Sequence, residues 1–236
     1  MAELTVANFN AHWGVHRSGR AFDVIGPALA LEADVLVLEE VWRPNGGACF
    51  VDTIAEAMGA TVHEAVFMSD HNAAKPRQLQ PPPGPPGTCG ISVLSRLPVT
   101  HVRDIELPHA QGDVVKRRHS VVVTIDVDGT PVTIAGMHAS HRLWGSLPQV
   151  QRVNQLLVDT GNPTALVGDL NMWGPVVGLV LRNRTRAVIG RTWPAKHPHS
   201  QIDHIWVDDR LVALDGGVAP ATESDHRPIW ARLEVR

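Results

Sequence analysis

"TALVGDLNMW", residues 164–173, is the stretch on which the reading of this chain turns. Thr164 to Val167 read as a buried strand, and at Gly168 the apolar run gives way to an acid, an apolar residue and an amide. Side chains alternate between the two sides of a strand, so Asp169 and Asn171 share a face if the backbone stays extended. That pairs a carboxylate acceptor with an amide that both donates and accepts. An ordinary strand-to-turn exit has the same composition, so the pair needs company before it means anything.

The same construction recurs along the chain. "LTVANFNAHW" (4–13) puts Asn8, Asn10 and His12 on one face if the strand continues. "DVLVLEEVW" (34–42) is a buried-strand run that ends in Glu39 and Glu40, of which alternation lets only one point into a site. A buried carboxylate needs a cation or donors, and Mg²⁺ favours carboxylate oxygen. "TIAGMHASHR" (133–142) ends a strand at His138 and places His141 three residues on. "SQIDHIWV" (200–207) and "ESDHRPIW" (223–230) each carry an Asp-His pair. Neighbours on a strand seldom bond side chain to side chain, so a cross-pair, Asp203 with His226 or the reverse, makes better sense. Acids, amides and histidines at five strand ends suit metal-assisted hydrolysis of a phosphate ester. Other hydrolytic chemistries lack their signatures. There is no GxSxG elbow, Ser92 falls mid-strand, and neither a GxxxxGK[ST] loop nor an HExxH pair occurs.

The bulk numbers are compatible with this. A chain of 236 residues, 44% hydrophobic, is expected to form one domain over 1–236. A formal charge of -3 does not fit a nonspecific DNA coater, although a local basic patch can hide under it. Cys49 and Cys89 lack metal-ligand spacing and read as small core or loop thiols. No apolar run approaches the ~18 residues of a membrane span, and "MAELTVANFN" does not read as a secretion leader, so a soluble cytoplasmic protein, and a monomer, is expected. Asp128-Gly129 between alternating arms predicts a hairpin. Helices are expected over 22–33, with Pro27 a kink or late start, over 49–59, and from Ser146 as N-cap to Gly161. Strands mixed with helices predict an α+β sandwich with the helices outside. "QLQPPPGPPG" (78–87) reads as an exposed proline-rich loop.

The ordered set "NFN", "LEEVW", "GISVLSRLPV", "KRRHSVVV", "GMH", "GDLNMW", "SQIDHIWV" and "SDHRPIW" resembles the endonuclease/exonuclease/phosphatase superfamily from residue 4 to about 235. That group includes exonuclease III-type abasic-site endonucleases, DNase I, sphingomyelinases and inositol-polyphosphate phosphatases. The resemblance implies a four-layer αββα sandwich of DNase I type, with the site at one end of two packed sheets. It implies Mg²⁺ or Mn²⁺ as cofactor, with Asn10, Glu40 and Asp225 on the metal side. His138 matches the histidine that contacts the reacting phosphate, and Asp169 with Asn171 the pair that positions water and stabilises the transition state. Asp203 matches the acid that orients His226, and Arg117 or Arg118 falls where several relatives keep a cation near the phosphate. Three departures stand out. His12 replaces an acid that some relatives carry, the chain has no tyrosine for the role it plays in abasic-site enzymes, and "MHAS" replaces the usual Thr-His.

The substrate follows less directly, because a fold does not choose one. Trp173 and Trp193 flank the site motifs, and Arg182, Arg184, Arg186 and Arg191 lie between them, which favours stacking and phosphate contacts with DNA or RNA. A nuclease-like phosphodiesterase is therefore the leading expectation. A phosphatase or phosphodiesterase acting on a small molecule or lipid head group is the alternative, followed by a non-catalytic binding module.

Overall fold

The computed structural model describes residues 2–16, 19–69 and 86–236. The proline-rich stretch at 78–87 lies outside these apart from its last two residues, and so does the surface-loop expectation attached to it. In chain order come β1 (Glu3–Asn10), α1 (Ile25–Leu29), β2 (Val35–Pro44), α2 (Phe50–Met58), β3 (Thr61–Ser69), β4 (Gly87–Ser95) and β5 (Val99–Glu106). There follow β6 (His119–Val127), β7 (Thr130–Met137), α3 (Leu143–Val158), β8 (Thr164–Asp169) and α4 (Gly174–Val180). The chain ends with β9 (Thr185–Arg186), β10 (Asp203–Val207), β11 (Leu211–Val218) and β12 (Ile229–Val235).

The strands form two six-stranded mixed sheets, ordered β11-β12-β1-β2-β4-β3 and β5-β6-β7-β8-β10-β9. They stack face to face because the strands at their centres are apolar on both sides, as sheets covered on both faces must be. Along β2, Val35 and Val37 turn inward against Ile134, Val167 and Ile205 of the other sheet. The alternate residues Leu36 and Leu38 turn outward beneath α1 and α2, with Phe9 and Ile54. On the far side Met137 and Leu166 meet Val150, Val153 and Leu157 of α3. The result is helices, sheet, sheet, helices. In α2, Val51, Ile54, Ala55 and Met58 recur at the 3–4 residue spacing that puts one stripe on the sheet. Each large side chain so buried stabilises the fold by about 1.5–3 kcal/mol.

The hairpin at Asp128-Gly129 joins β6 to β7, with positive φ at both turn residues (52° and 86°), the requirement of the tight two-residue turn. Two helix expectations need correction. α1 is one short helix, started by Asp23, whose Oδ1 accepts the Ile25 and Gly26 amides, and Pro27 is tolerated in its first turn. α3 begins at Leu143, with Arg142 as cap. Ser146 is inside it, and its hydroxyl donates back to the Arg142 and Leu143 carbonyls instead of capping.

Strand direction decides where chemistry collects. The parallel pairs β1/β2 and β7/β8 all end at one edge of the sandwich. Antiparallel β10 starts at that same edge, with Asp203 opposite Asp169, and so does β12 beside β1. The strand ends singled out in the sequence therefore gather at one edge of the sandwich.

Candidate active site

The inward faces of the central strands are apolar until they approach the mouth. Inward parity runs Val6–Asn8 in β1, Val35–Val37–Glu39 in β2, Ala165–Val167–Asp169 in β8 and Val207–Ile205–Asp203 in β10. The core between the sheets is thus closed at one end by Asn8, Glu39, Asp169 and Asp203, all buried.

Glu39 and Glu40 both belong to this end, against the expectation that alternation sends one away. β2 is bulged between Glu39 and Val41, and Glu40 is the extra residue, with φ 50°. A bulge breaks the two-residue period. Glu39 keeps inward parity: its Oε1 accepts from Asn8 Nδ2 at 2.5 Å and from the Asp169 amide at 3.0 Å. Glu40 swings to the mouth, with its Oε1 3.3 Å from Asn10 Nδ2. Burial, then the charges of Asp203 and Asp169, hold the Glu39 carboxyl well above its ordinary range.

Asp169 is the centre of the cluster. Its Oδ2 lies 3.6 Å from His138 Nε2, 3.9 Å from His226 Nε2 and 3.4 Å from Asn10 Nδ2. Burial pushes its pKa up to about 7, with Asp203 acting in the same direction and His226 against it. Gly168 makes the approach feasible. Its φ is +145°, and a Cβ there would overlap the Met137 carbonyl oxygen. Asn171 reaches the mouth by a different route from the extended strand first supposed. The chain turns with φ 50° at Asn171, whose amide donates to Asp169 Oδ1 at 2.8 Å while its Nδ2 donates to the Ala139 carbonyl.

His226 Nδ1 lies 3.0 and 3.1 Å from the two Asp203 oxygens, which fixes the ring and leaves Nε2 facing Asp169. Burial lowers the affinity of this imidazole for a proton, but the charge and hydrogen bond of Asp203, helped by Asp169 and Asp225, raise its pKa well above the ordinary value. His138 is the reverse: burial and then the positive Arg118 and His226 push it well below. One buried imidazole is thus held charged and the other neutral, about a shared carboxylate. His204, the other member of its Asp-His pair, faces away and hydrogen-bonds the Met172 carbonyl.

Of the two arginines, Arg118 reaches the site. It is buried, with Nε donating to Asp113 Oδ2 at 2.8 Å and Nη1 to the His138 carbonyl. Asp113 also sits 3.5 Å from His141 Nδ1. The hydrogen bond and charge of Arg118 outweigh burial and hold the Asp113 carboxyl low. Arg117 is exposed on a neighbouring hollow with Lys116. These groups open onto a cavity of about 460 Å³ whose lining includes Glu40, Arg118, His138, His141, Asp169, Asn171, Trp193 and His226.

Trp193 is in that lining; Trp173 is not, being largely exposed at the start of α4. Asp225 borders an adjoining cavity on the other side of Trp193. The basic cluster disperses. Arg184 is buried, bonding Asn154 and Thr164; Arg186 bonds Gln201; Arg182 caps the Leu179 carbonyl. Sequence reasoning had Asn8 on the face of Asn10 and His12 and left Glu39 open beside Glu40, but assigned neither to the site, and it missed Asp113 and Trp13. Asn8 and Glu39 both carried a signal, the inward series Val6–Asn8 and Val35–Val37–Glu39.

Glu40 is also where a metal would fit. Its carboxylate borders the cavity beside two buried acids, Glu39 and Asp169, and among the described residues no lysine or arginine pairs with it. Asp169, Asp203 and His226 additionally present ligand atoms within 4.8 Å of one another. Excess oxygen-donor charge of this kind matches a hard divalent cation.

Two stacked mixed sheets with this end-on cluster define the DNase I-like class of fold. The chain belongs to the Endonuclease/Exonuclease/phosphatase family, whose sequence profile matches residues 7–226 and whose members are phosphoesterase hydrolases. Among solved structures, an endonuclease/exonuclease/phosphatase from Beutenbergia cavernae DSM 12333 superposes with TM-score 0.80 at 22% identity, covering 100% of this chain and 72% of that one. A mannosyl-6-phosphatase of Bacteroides thetaiotaomicron VPI-5482 gives 0.73 at 16%, covering 98% and 99%. Truncated Caenorhabditis elegans TDP2 gives 0.65 at 16%, covering 98% and 97%. No curated protein matches the sequence. Among the described residues no helix is long and apolar enough to cross a membrane.

Proposed function

We propose that this protein is a divalent-metal-dependent phosphoesterase that hydrolyses a small phosphate ester. The observation that carries the reading is the convergence on Asp169: two imidazoles within 4 Å of one carboxylate oxygen, one of them held by Asp203, beside Glu40, which among the described residues meets no lysine or arginine.

Glu40 and Asn10 would hold the metal, and Asp225, on the adjoining cavity, would be the second metal-side acid. Bound there, Mg²⁺ or Mn²⁺ would polarise a phosphoryl oxygen and offset charge on the departing oxygen. Asp169 takes the proton of the attacking water, since it sits between the two imidazoles with its other oxygen tied to the Asn171 amide. The His226 imidazolium, oriented by Asp203, donates to a non-bridging oxygen as charge builds there. Neutral His138 and Arg118 add donors on the opposite side, and Asn171 fixes the Asp169 rotamer. Positioning and electrostatics of this sort dominate phosphoryl transfer.

Two of the features that favoured a nuclease, Arg184 and Trp173, do not line the cavity, while Trp193 does. A small ester fits a cavity of this size. The test is hydrolysis of bis(p-nitrophenyl) phosphate and p-nitrophenyl phosphate, beside nicking of a plasmid. Turnover of an ester is expected to stop in EDTA and return with Mg²⁺ or Mn²⁺. Undiminished turnover in EDTA overturns the metal-dependent mechanism, and plasmid nicking that outpaces ester hydrolysis overturns the small-substrate reading.

A further inference from the structure

Beyond the reacting groups, the cavity is walled by apolar side chains from well-separated parts of the chain: Trp13, Phe67, Met68, Val115, Trp193 and Ile202. Arg118 is the one lysine or arginine among the described lining residues, and it is already engaged by Asp113 and the His138 carbonyl. A substrate with several phosphates needs several free cations to offset its charge. This lining supplies one site for a phosphate and, next to it, a surface that gains only by covering apolar area.

Trp13 is built into that surface at a cost. His12 and Trp13 both have left-handed backbone, φ 42° and 60°, which residues with side chains seldom adopt. Such strain persists only where surrounding contacts over-determine it. Here the His12 amide donates to Asn10 Oδ1 at 3.1 Å, the His12 ring stacks on the indole at 5.5 Å, and Trp13 Nε1 donates to Cys89 Sγ at 3.2 Å. With its N–H spent on Cys89, the indole has only its apolar surface to offer a ligand. It is tied to Asn10 through His12, whose amide bonds the Asn10 side chain, so its position is fixed relative to the metal side of the site.

We infer that the cavity selects an ester of a single phosphate with a flat, uncharged aromatic alcohol, and that Trp13 and Trp193 are the residues that determine this specificity. The inference rests on the phosphoesterase reading for the identity of the charged end of the ligand. An aromatic ring suits two indoles better than a flexible chain, because it loses little rotational freedom on binding and stacks.

The test uses inert probes. The Mg²⁺-loaded protein is titrated calorimetrically with phenylphosphonate, methylphosphonate and n-butylphosphonate. Phenylphosphonate is expected to bind at least about tenfold more tightly than methylphosphonate, equivalent to about 1.4 kcal/mol. In Trp13→Ala that ratio is expected to fall below about threefold, with the larger part of the change in the phenylphosphonate affinity. Trp193→Ala provides the same comparison should Trp13→Ala not fold. Equal affinity of the phenyl and methyl probes, butyl binding as tightly as phenyl, binding of none of them, or a ratio unmoved in both variants each overturns the inference. A retained phenyl preference without turnover of any phosphate ester instead overturns the phosphoesterase reading and leaves the selectivity standing.

Discussion

Asp169→Asn separates stability from function. An acid whose pKa is raised in the folded state binds more protons there than when unfolded, so stability falls as pH rises through that window. The unfolded value is near 3.8 and the folded one about 7, so the loss develops between those values and is complete above them. A difference of about 3 units at about 1.4 kcal/mol each comes to roughly 4 kcal/mol near pH 8.5. The side chain is 2% exposed, so water screens little of this. The amide removes the charge but turns a donor toward Asn10 Nδ2 or His138, which costs about 1 kcal/mol. Without metal, Asp169→Asn is therefore expected to be about 3 kcal/mol more stable than the parent near pH 8.5. For a chain of this length that is about 6–12 °C in Tm. Near pH 4.5 only about 1 kcal/mol of the parent's loss has developed, the two terms cancel, and the melting temperatures should coincide. Turnover should drop on the order of 10²-fold or more, since a positioned base contributes about that much. The assay is thermal unfolding in EDTA at both pH values, alongside ester hydrolysis with Mg²⁺. A variant no more stable than the parent near pH 8.5, or equally stabilised at both pH values, refutes the reasoning.

Asp113→Asn leaves the buried Arg118 without its charge partner, so stability should fall by about 3–5 kcal/mol. If Arg118 contacts the phosphate, KM for the ester should rise more than kcat falls; an unchanged KM in steady-state kinetics refutes that contact. Gly168→Ala forces a Cβ into the Met137 carbonyl at a φ that only glycine takes readily. It should lower Tm steeply or prevent folding, and a Tm within about 2 °C of the parent refutes the close approach.

Much was legible locally. The apolar runs 35–38 and 165–167 are buried strands because nothing polar interrupts them, and Asp128-Gly129 makes its turn because both residues accept positive φ. The order of short motifs carried the family, and with it the two stacked sheets, since each motif sits at a strand end. Alternation failed at Glu40, where a bulge inserts a residue, and at Asn171, where the chain has already turned. Neither event leaves a composition mark. Ser146 misled for a related reason: a serine inside a first turn bonds backward as readily as it caps.

The sequence by itself therefore determined which residues could do chemistry, because side-chain type and strand-end position are local properties. What the arginines and tryptophans do was decided by tertiary structure alone. Arg184 and Arg118 look alike in sequence, yet one is fastened to Thr164 far from the mouth and the other is aimed at it by Asp113. Trp173, two residues from Asn171, is turned to solvent, while Trp13, more than 150 residues away in the chain, walls the cavity. Long side chains take their direction from distant partners, and only the packing of the two sheets brings those partners together.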